Sequence, residues 1–129
     1  MAEKVRIAVV GGGRAGAPII EDFIKRPYVE LVGVADVDPE SPGAKIARDN
    51  GVRYTANALD FCDPGEYVDI IVEVCGDPKV KRALKEAFVE QNNRHTIILH
   101  DVVARLMMSI IAGTDTLIEP VHPDDCGIG

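Results

Sequence analysis

A run of β-branched residues that stops at three consecutive glycines constrains this chain more than any other feature. Val5–Val10 (VRIAVV) is short and apolar, which is the pattern of a strand buried on both faces of a parallel sheet. Gly11-Gly12-Gly13-Arg14-Ala15-Gly16 follows, and then Ile19, Ile20, Phe23 and Ile24 recur at helical spacing. Pro18 fits only the first turn of that helix, where backbone N–H groups have no intrahelical partner, so the helix is expected to begin near Gly13 to Ala15. A strand, a glycine turn and a helix in this order require a crossover to a second parallel strand.

The rest of the chain repeats the alternation. Val29 to Ala35 reads as strand two, ending at Asp36, and Ser41-Pro42 caps a short helix through Ala47 that stops at Gly51. Val52 to Thr55 gives a brief third strand, and Asn57 caps a turn around Leu59 to Cys62. Asp69 to Cys75 forms strand four, followed by an amphipathic helix whose apolar face holds Val80, Ala83, Leu84, Ala87 and Phe88. His95 to His100 supplies strand five, with Asp101 as the cap of a last apolar helix ending at Gly113. The expected fold is α/β: a doubly wound, Rossmann-type parallel sheet of about five strands in the order 3-2-1-4-5, with helices on both faces. Residues 1–113 make up this domain, and 114–129, aperiodic and acidic, read as a tail or linker.

Composition removes several classes of function. With 129 residues and 47% hydrophobic content the chain suits one globular domain, large enough to fold without disulfides or a structural metal. Its formal charge of -7 argues against nucleic acid as a partner. Asp115, Glu119, Asp124 and Asp125 carry much of that charge, so the body is nearly neutral and an anionic ligand held by backbone dipoles remains compatible. Cys62, Cys75 and Cys126 form no CxxC pair, which points to a reducing, cytoplasmic location. The greasiest stretch, Val102 to Ala112, is interrupted by Arg105 and Ser109, so no membrane insertion is expected.

The glycine segment satisfies G-x-G-x-x-G, and its position between a strand and a helix gives the pattern physical content. Gly11 permits a tight turn, Gly13 lets the backbone approach a pyrophosphate, and Gly16 lets the helix lie close on the strand. Gly12, Arg14 and Ala15 complete a loop expected to touch a dinucleotide. Asp36 stands twenty residues after Gly16, placed to accept hydrogen bonds from ribose hydroxyls and to repel a 2'-phosphate, which favours NAD over NADP. A purely local Asx turn into Asp38-Pro39 is the competing role for Asp36.

Cys75 and Gly76, ending strand four, face the nicotinamide side of the crevice; Cys75 reads more readily as a small buried residue than as a redox group. Glu73 is an oddity in a central strand, facing either a polar partner or the crevice. His100 either donates a proton, reads a ligand's charge or is a satisfied edge residue. His95 and His122 have no metal-ligand spacing, and no metal is expected. No catalytic residue is assigned.

The runs VRIAVVGGGRAGAPII, VELVGVADVDPESPGAKIARDNGV and VDIIVEVCGDPKVKRALKEAF resemble the NAD-binding domains of homoserine dehydrogenases and of the glucose-fructose oxidoreductase and dihydrodipicolinate reductase groups, over about residues 4 to 112. The phrase DIIVEVCG is the most specific part. The resemblance implies cofactor contacts at Gly11, Gly13, Gly16 and Asp36. The chain also resembles nucleotide-binding modules at the amino end of some bacterial sensor histidine kinases.

Two departures shape the functional expectation. Homoserine dehydrogenases follow strand five with a T-A-N-K segment; here His100-Asp101-Val102-Val103 stands there, and no lysine follows Lys85. Only a short acidic segment follows the last helix, where those enzymes carry a substrate and dimerisation domain. The expectation is therefore an NAD(H)-binding module that senses its ligand, working as a homodimer or with a downstream signalling or catalytic domain. The alternatives are an NAD-dependent oxidoreductase or its cofactor-binding fragment, and a binder of another nucleotide such as coenzyme A.

Overall fold

The computed structural model describes residues 3–65 and 67–120. Ten elements follow in order: β1 (Val5–Val10), α1 (Gly16–Lys25), β2 (Val29–Ala35), α2 (Pro42–Asp49), β3 (Tyr54–Thr55), a 3-10 helix (Ala58–Cys62), β4 (Ile70–Glu73), α3 (Pro78–Glu90), β5 (Ile97–Leu99) and α4 (Asp101–Ala112). The strands form one parallel sheet in the order β3-β2-β1-β4-β5. This is the doubly wound, Rossmann-type arrangement, and its order reverses between β1 and β4.

Side-chain alternation along the strands divides the core in two. Ile7, Val9, Val34, Val72 and Val74 pack under α1, α2 and α4, against Ile19, Ile20, Ala47, Ala104 and Met108. Ala8, Val10, Ala35 and Ile71 face α3 and the 3-10 helix, against Phe61, Leu84 and Phe88. Phe61 is fully buried, a burial that contributes about 1.5–3 kcal/mol. Its ring occupies the space that a side chain at Gly33 would need, since a Cβ there would lie 2.7 Å from Cε1.

The ends of several elements differ from expectation, for local reasons. The first helix is regular only from Gly16, but the Ala17 N–H already bonds the Gly13 carbonyl, so its first turn begins where the proline required. Strands β3 and β5 are shorter than the apolar runs that contain them, because each pairs on one side only, β3 with β2 and β5 with β4. Asp101 is not the cap of α4: His100 takes that position without a side-chain bond, and Asp101 is the first helical residue, 3.5 Å from Arg105. A carboxylate in the first turn complements the helix dipole from there. Ser41 does cap α2, its hydroxyl accepting the Ala44 N–H.

Residues 114–120 lie along α4. Arg105 Nε donates to the Ile118 carbonyl and the Ile118 N–H donates to Ser109 Oγ, both at 2.9 Å. The remainder of the acidic segment, with His122, Asp124, Asp125 and Cys126, lies outside the described residues. Among the described residues no helix is long and apolar enough to cross a membrane.

Candidate functional site

A cavity of about 890 Å³ opens at the carboxyl ends of β1, β2 and β4, where the sheet order reverses. Gly11, Gly13, Arg14 and Ala15 form its floor, Asp36 and Val37 one end, and Cys75, Asp77 and Lys79 the other. The size suits a ligand larger than a single small metabolite. Its long axis therefore runs from the end of β2, over the glycine turn, to the end of β4.

Each glycine of the turn has a different reason to lack a side chain. Gly11 adopts φ +106, and a Cβ there would lie 2.8 Å from the Cys75 backbone nitrogen. At Gly16 a Cβ would fall 1.7 Å from the Gly11 carbonyl oxygen, so helix and turn interlock. Gly12 abuts the start of α2, where a Cβ would meet Ser41 Oγ at 2.8 Å. Gly13 is the exception, since a Cβ would meet nothing within 4 Å. Protein packing therefore does not require glycine at Gly13, and a side chain there would enter the cavity.

Asp36 joins two parts of the site. Its Oδ2 accepts the Gly12 N–H at 2.8 Å, and its Oδ1 accepts the Asp38 N–H at 2.9 Å. The Asx turn considered from sequence thus exists, and the same carboxylate also fixes the glycine turn. Each oxygen retains a second lone pair, so acceptance from a ligand hydroxyl is compatible with both bonds. Tyr54 Oη donates to the Asp36 carbonyl at 2.6 Å and holds the end of β2 in place.

At the other end, Cys75 lines the cavity and Gly76 turns the chain with φ +77. Burial pushes the Cys75 thiol up to about 12, against the backbone N–H of Asp77, which lowers it, and with a smaller upward push from Glu73. It is a thiol, not a thiolate, at neutral pH. Behind it lies Glu73, wholly buried, whose Oε1 accepts from Cys75 Sγ at 3.7 Å. His100 does not line the cavity; it is buried with Nδ1 4.0 Å from Glu73 Oε2.

Among the residues singled out from sequence, Gly11, Gly13, Arg14, Ala15, Asp36 and Cys75 converge on the cavity, while Gly12, Gly16, Gly76 and His100 do not line it. Sequence reading missed Val37, Asn57, Leu59, Lys79 and Val80 on the lining. Their common signal is position just after a strand's carboxyl end or in the first turn of α3, where a doubly wound sheet exposes its crevice.

No family model matches the sequence. The chain is similar to acetaldehyde dehydrogenase 2 of Comamonas testosteroni, 33% identical over 69 residues, which are 54% of this chain and 22% of that enzyme. An acetaldehyde dehydrogenase of Marinomonas sp. (strain MWYL1) is 26% identical over 93 residues, 72% of this chain and 28% of the relative. The chain thus spans about a quarter of the length of the curated relatives it matches. Among solved structures, GenD2 from gentamicin A biosynthesis, in complex with NAD, superposes with TM-score 0.57 at 22% identity, covering 88% of this chain and 32% of GenD2. Homoserine dehydrogenase of S. aureus superposes with TM-score 0.59 at 17% identity, over 88% of this chain and 30% of that enzyme. These structural likenesses establish the Rossmann-type fold that the sheet order displays.

Proposed function

We propose that this chain is the NAD(H)-binding domain of an oxidoreductase. The observation that carries the reading is the cavity at the sheet's switch point, which runs from Asp36 over the open face of Gly13 to Cys75. The residues present fit a dinucleotide. Asp36 has acceptor capacity for ribose hydroxyls, the glycine turn leaves room for a pyrophosphate, and the start of α1 directs a positive dipole there. Val37 and Leu59 give the Asp36 half of the cavity an apolar lining suited to a purine.

The similarity to acetaldehyde dehydrogenases and homoserine dehydrogenase supports the oxidoreductase alternative over the sensing module expected from sequence. When bound, the nicotinamide would supply a hydride acceptor, and this chain's residues at the cavity would hold and orient it. In this reading residues 1–113 are the cofactor domain and 114–129 its acidic continuation, and the substrate is bound by structure outside this chain.

Isothermal titration of the purified chain tests the reading. NAD and NADH are expected to bind, and NADP at least about tenfold more weakly, a difference of roughly 1.4 kcal/mol. Equal affinity for NAD and NADP would remove the role given to Asp36. Binding of coenzyme A in preference to either would replace the reading with the third ligand class.

A further inference from the structure

The dinucleotide reading leaves one cluster unused, the buried polar residues behind the Cys75 wall. Alternation places Ile71 and Glu73 on the α3 side of β4 and Ile98 on the same side of β5. The parallel register pairs Val72 with Leu99, so Glu73 and His100 emerge side by side, one residue beyond the last pair. Their side chains are 0% and 7% exposed, with Oε2 and Nδ1 4.0 Å apart. Helix α3 adds Lys81 to the same buried layer, on the stripe it shares with Leu84 and Phe88. Asp77, the N-cap of α3, and Asp101, engaged by Arg105, flank the layer at the helix starts.

We propose that the Glu73–His100 pair makes cofactor binding selective for the oxidation state of the nicotinamide, through a proton. This inference rests on the dinucleotide reading above. Cys75 lines the cavity and also bonds Glu73, so one side chain separates the cavity from the pair. Protonation of His100 adds one positive charge to this buried layer. Buried charges interact over such distances with little screening, and a coupled pair exchanges its proton as a unit.

The ring of NAD⁺ carries a positive charge and that of NADH does not. A cation at the Cys75 end opposes the protonated imidazole, so NAD⁺ binding releases more protons to the buffer than NADH binding does. By linkage the affinity for NAD⁺ relative to NADH rises with pH as the buried pair loses its proton. The two nucleotides share every other group, so their affinity ratio cancels the effects of Asp36, Asp77, Lys79 and the glycine turn.

The test is titration calorimetry of the whole chain with NAD⁺ and with NADH between pH 5.5 and 8.5, in buffers of different ionisation enthalpy. The expected result is a ratio that shifts toward NAD⁺ by roughly fivefold across that range, with a buffer-dependent heat that differs between the two nucleotides. In Glu73→Gln and His100→Gln the ratio is expected to be flat. A flat ratio in the wild type overturns the inference while leaving the dinucleotide reading intact, and so does a slope that survives in a folded His100→Gln variant. Failure of both nucleotides to bind overturns the dinucleotide reading itself and the inference with it. Should Glu73→Gln not fold, the wild-type profile and His100→Gln still decide.

Discussion

The Asp36 carboxylate accepts the backbone N–H of Gly12 at 2.8 Å across 24 residues of chain. The acid at the end of β2 is therefore part of the glycine turn's own structure as well as a candidate ligand contact. This explains why the two features occur together: the turn leaves an N–H without a strand partner, and the carboxylate satisfies it.

Replacing Asp36 by alanine should consequently have two separable effects. Loss of the charged acceptor for Gly12 is expected to cost about 1–2 kcal/mol of stability, read from urea denaturation. Loss of the ribose contact should weaken NAD by roughly ten- to a hundredfold and abolish its advantage over NADP. Asp36→Asn, which retains an acceptor oxygen without the charge, should recover most of the stability and little of the discrimination. Unchanged NAD affinity in Asp36→Ala would leave the residue a purely structural role.

Two glycines of the same motif should respond in opposite ways. Gly13 borders open space, so Gly13→Val is expected to fold with a stability change within about 0.5 kcal/mol, yet lose dinucleotide binding because its side chain enters the cavity. Gly16 has its neighbour's carbonyl 1.7 Å from where a Cβ would stand, so Gly16→Ala should destabilise the domain by about 3 kcal/mol or more. Thermal melts with and without NAD separate the two. A folded Gly13→Val that binds normally would make the whole turn structural.

The contrast between these glycines also shows what was legible in the sequence. Val5–Val10 and Val29–Ala35 are each bounded by residues that cannot extend them, a glycine run in one case and Pro27-Tyr28 with Asp36 in the other, and both strands have the expected limits. At β3 and β5 the apolar runs outlast the pairing, because a strand ends where its neighbour does and not where its propensity does. The Asp36 end and the glycine turn are local patterns and could be read directly. The neighbourhood of Glu73 and His100 could not, because it depends on the register of two strands and on helix α3 between them. The lining residues Asn57 and Leu59 depend likewise on how β3 delivers the 3-10 helix to the cavity mouth.

At the amino ends of the strands, Asp69 provides a pH-dependent contribution to stability. Its Oδ2 accepts the Arg6 N–H at 2.8 Å, and its Oδ1 faces His95 Nε2. The His95 ring also meets Tyr67, with Oη 3.2 Å from Nδ1 and ring centroids 4.5 Å apart. The Arg6 backbone bond, and after it the His95 contact, hold the Asp69 carboxyl below its ordinary value of 3.8. A group whose value is lower folded than unfolded stabilises the fold above the unfolded value, and that contribution disappears as pH falls through the folded one. Asp69→Asn keeps an acceptor for Arg6 but no charge, and should lower stability by about 1–2 kcal/mol at pH 7. The deficit should shrink as the pH is taken from about 5 toward 2, where the wild-type carboxyl is itself protonated. Urea melts of both proteins across that range provide the measurement. A deficit that stays constant with pH would assign the effect to packing of the His95–Tyr67 pair and not to the carboxylate charge.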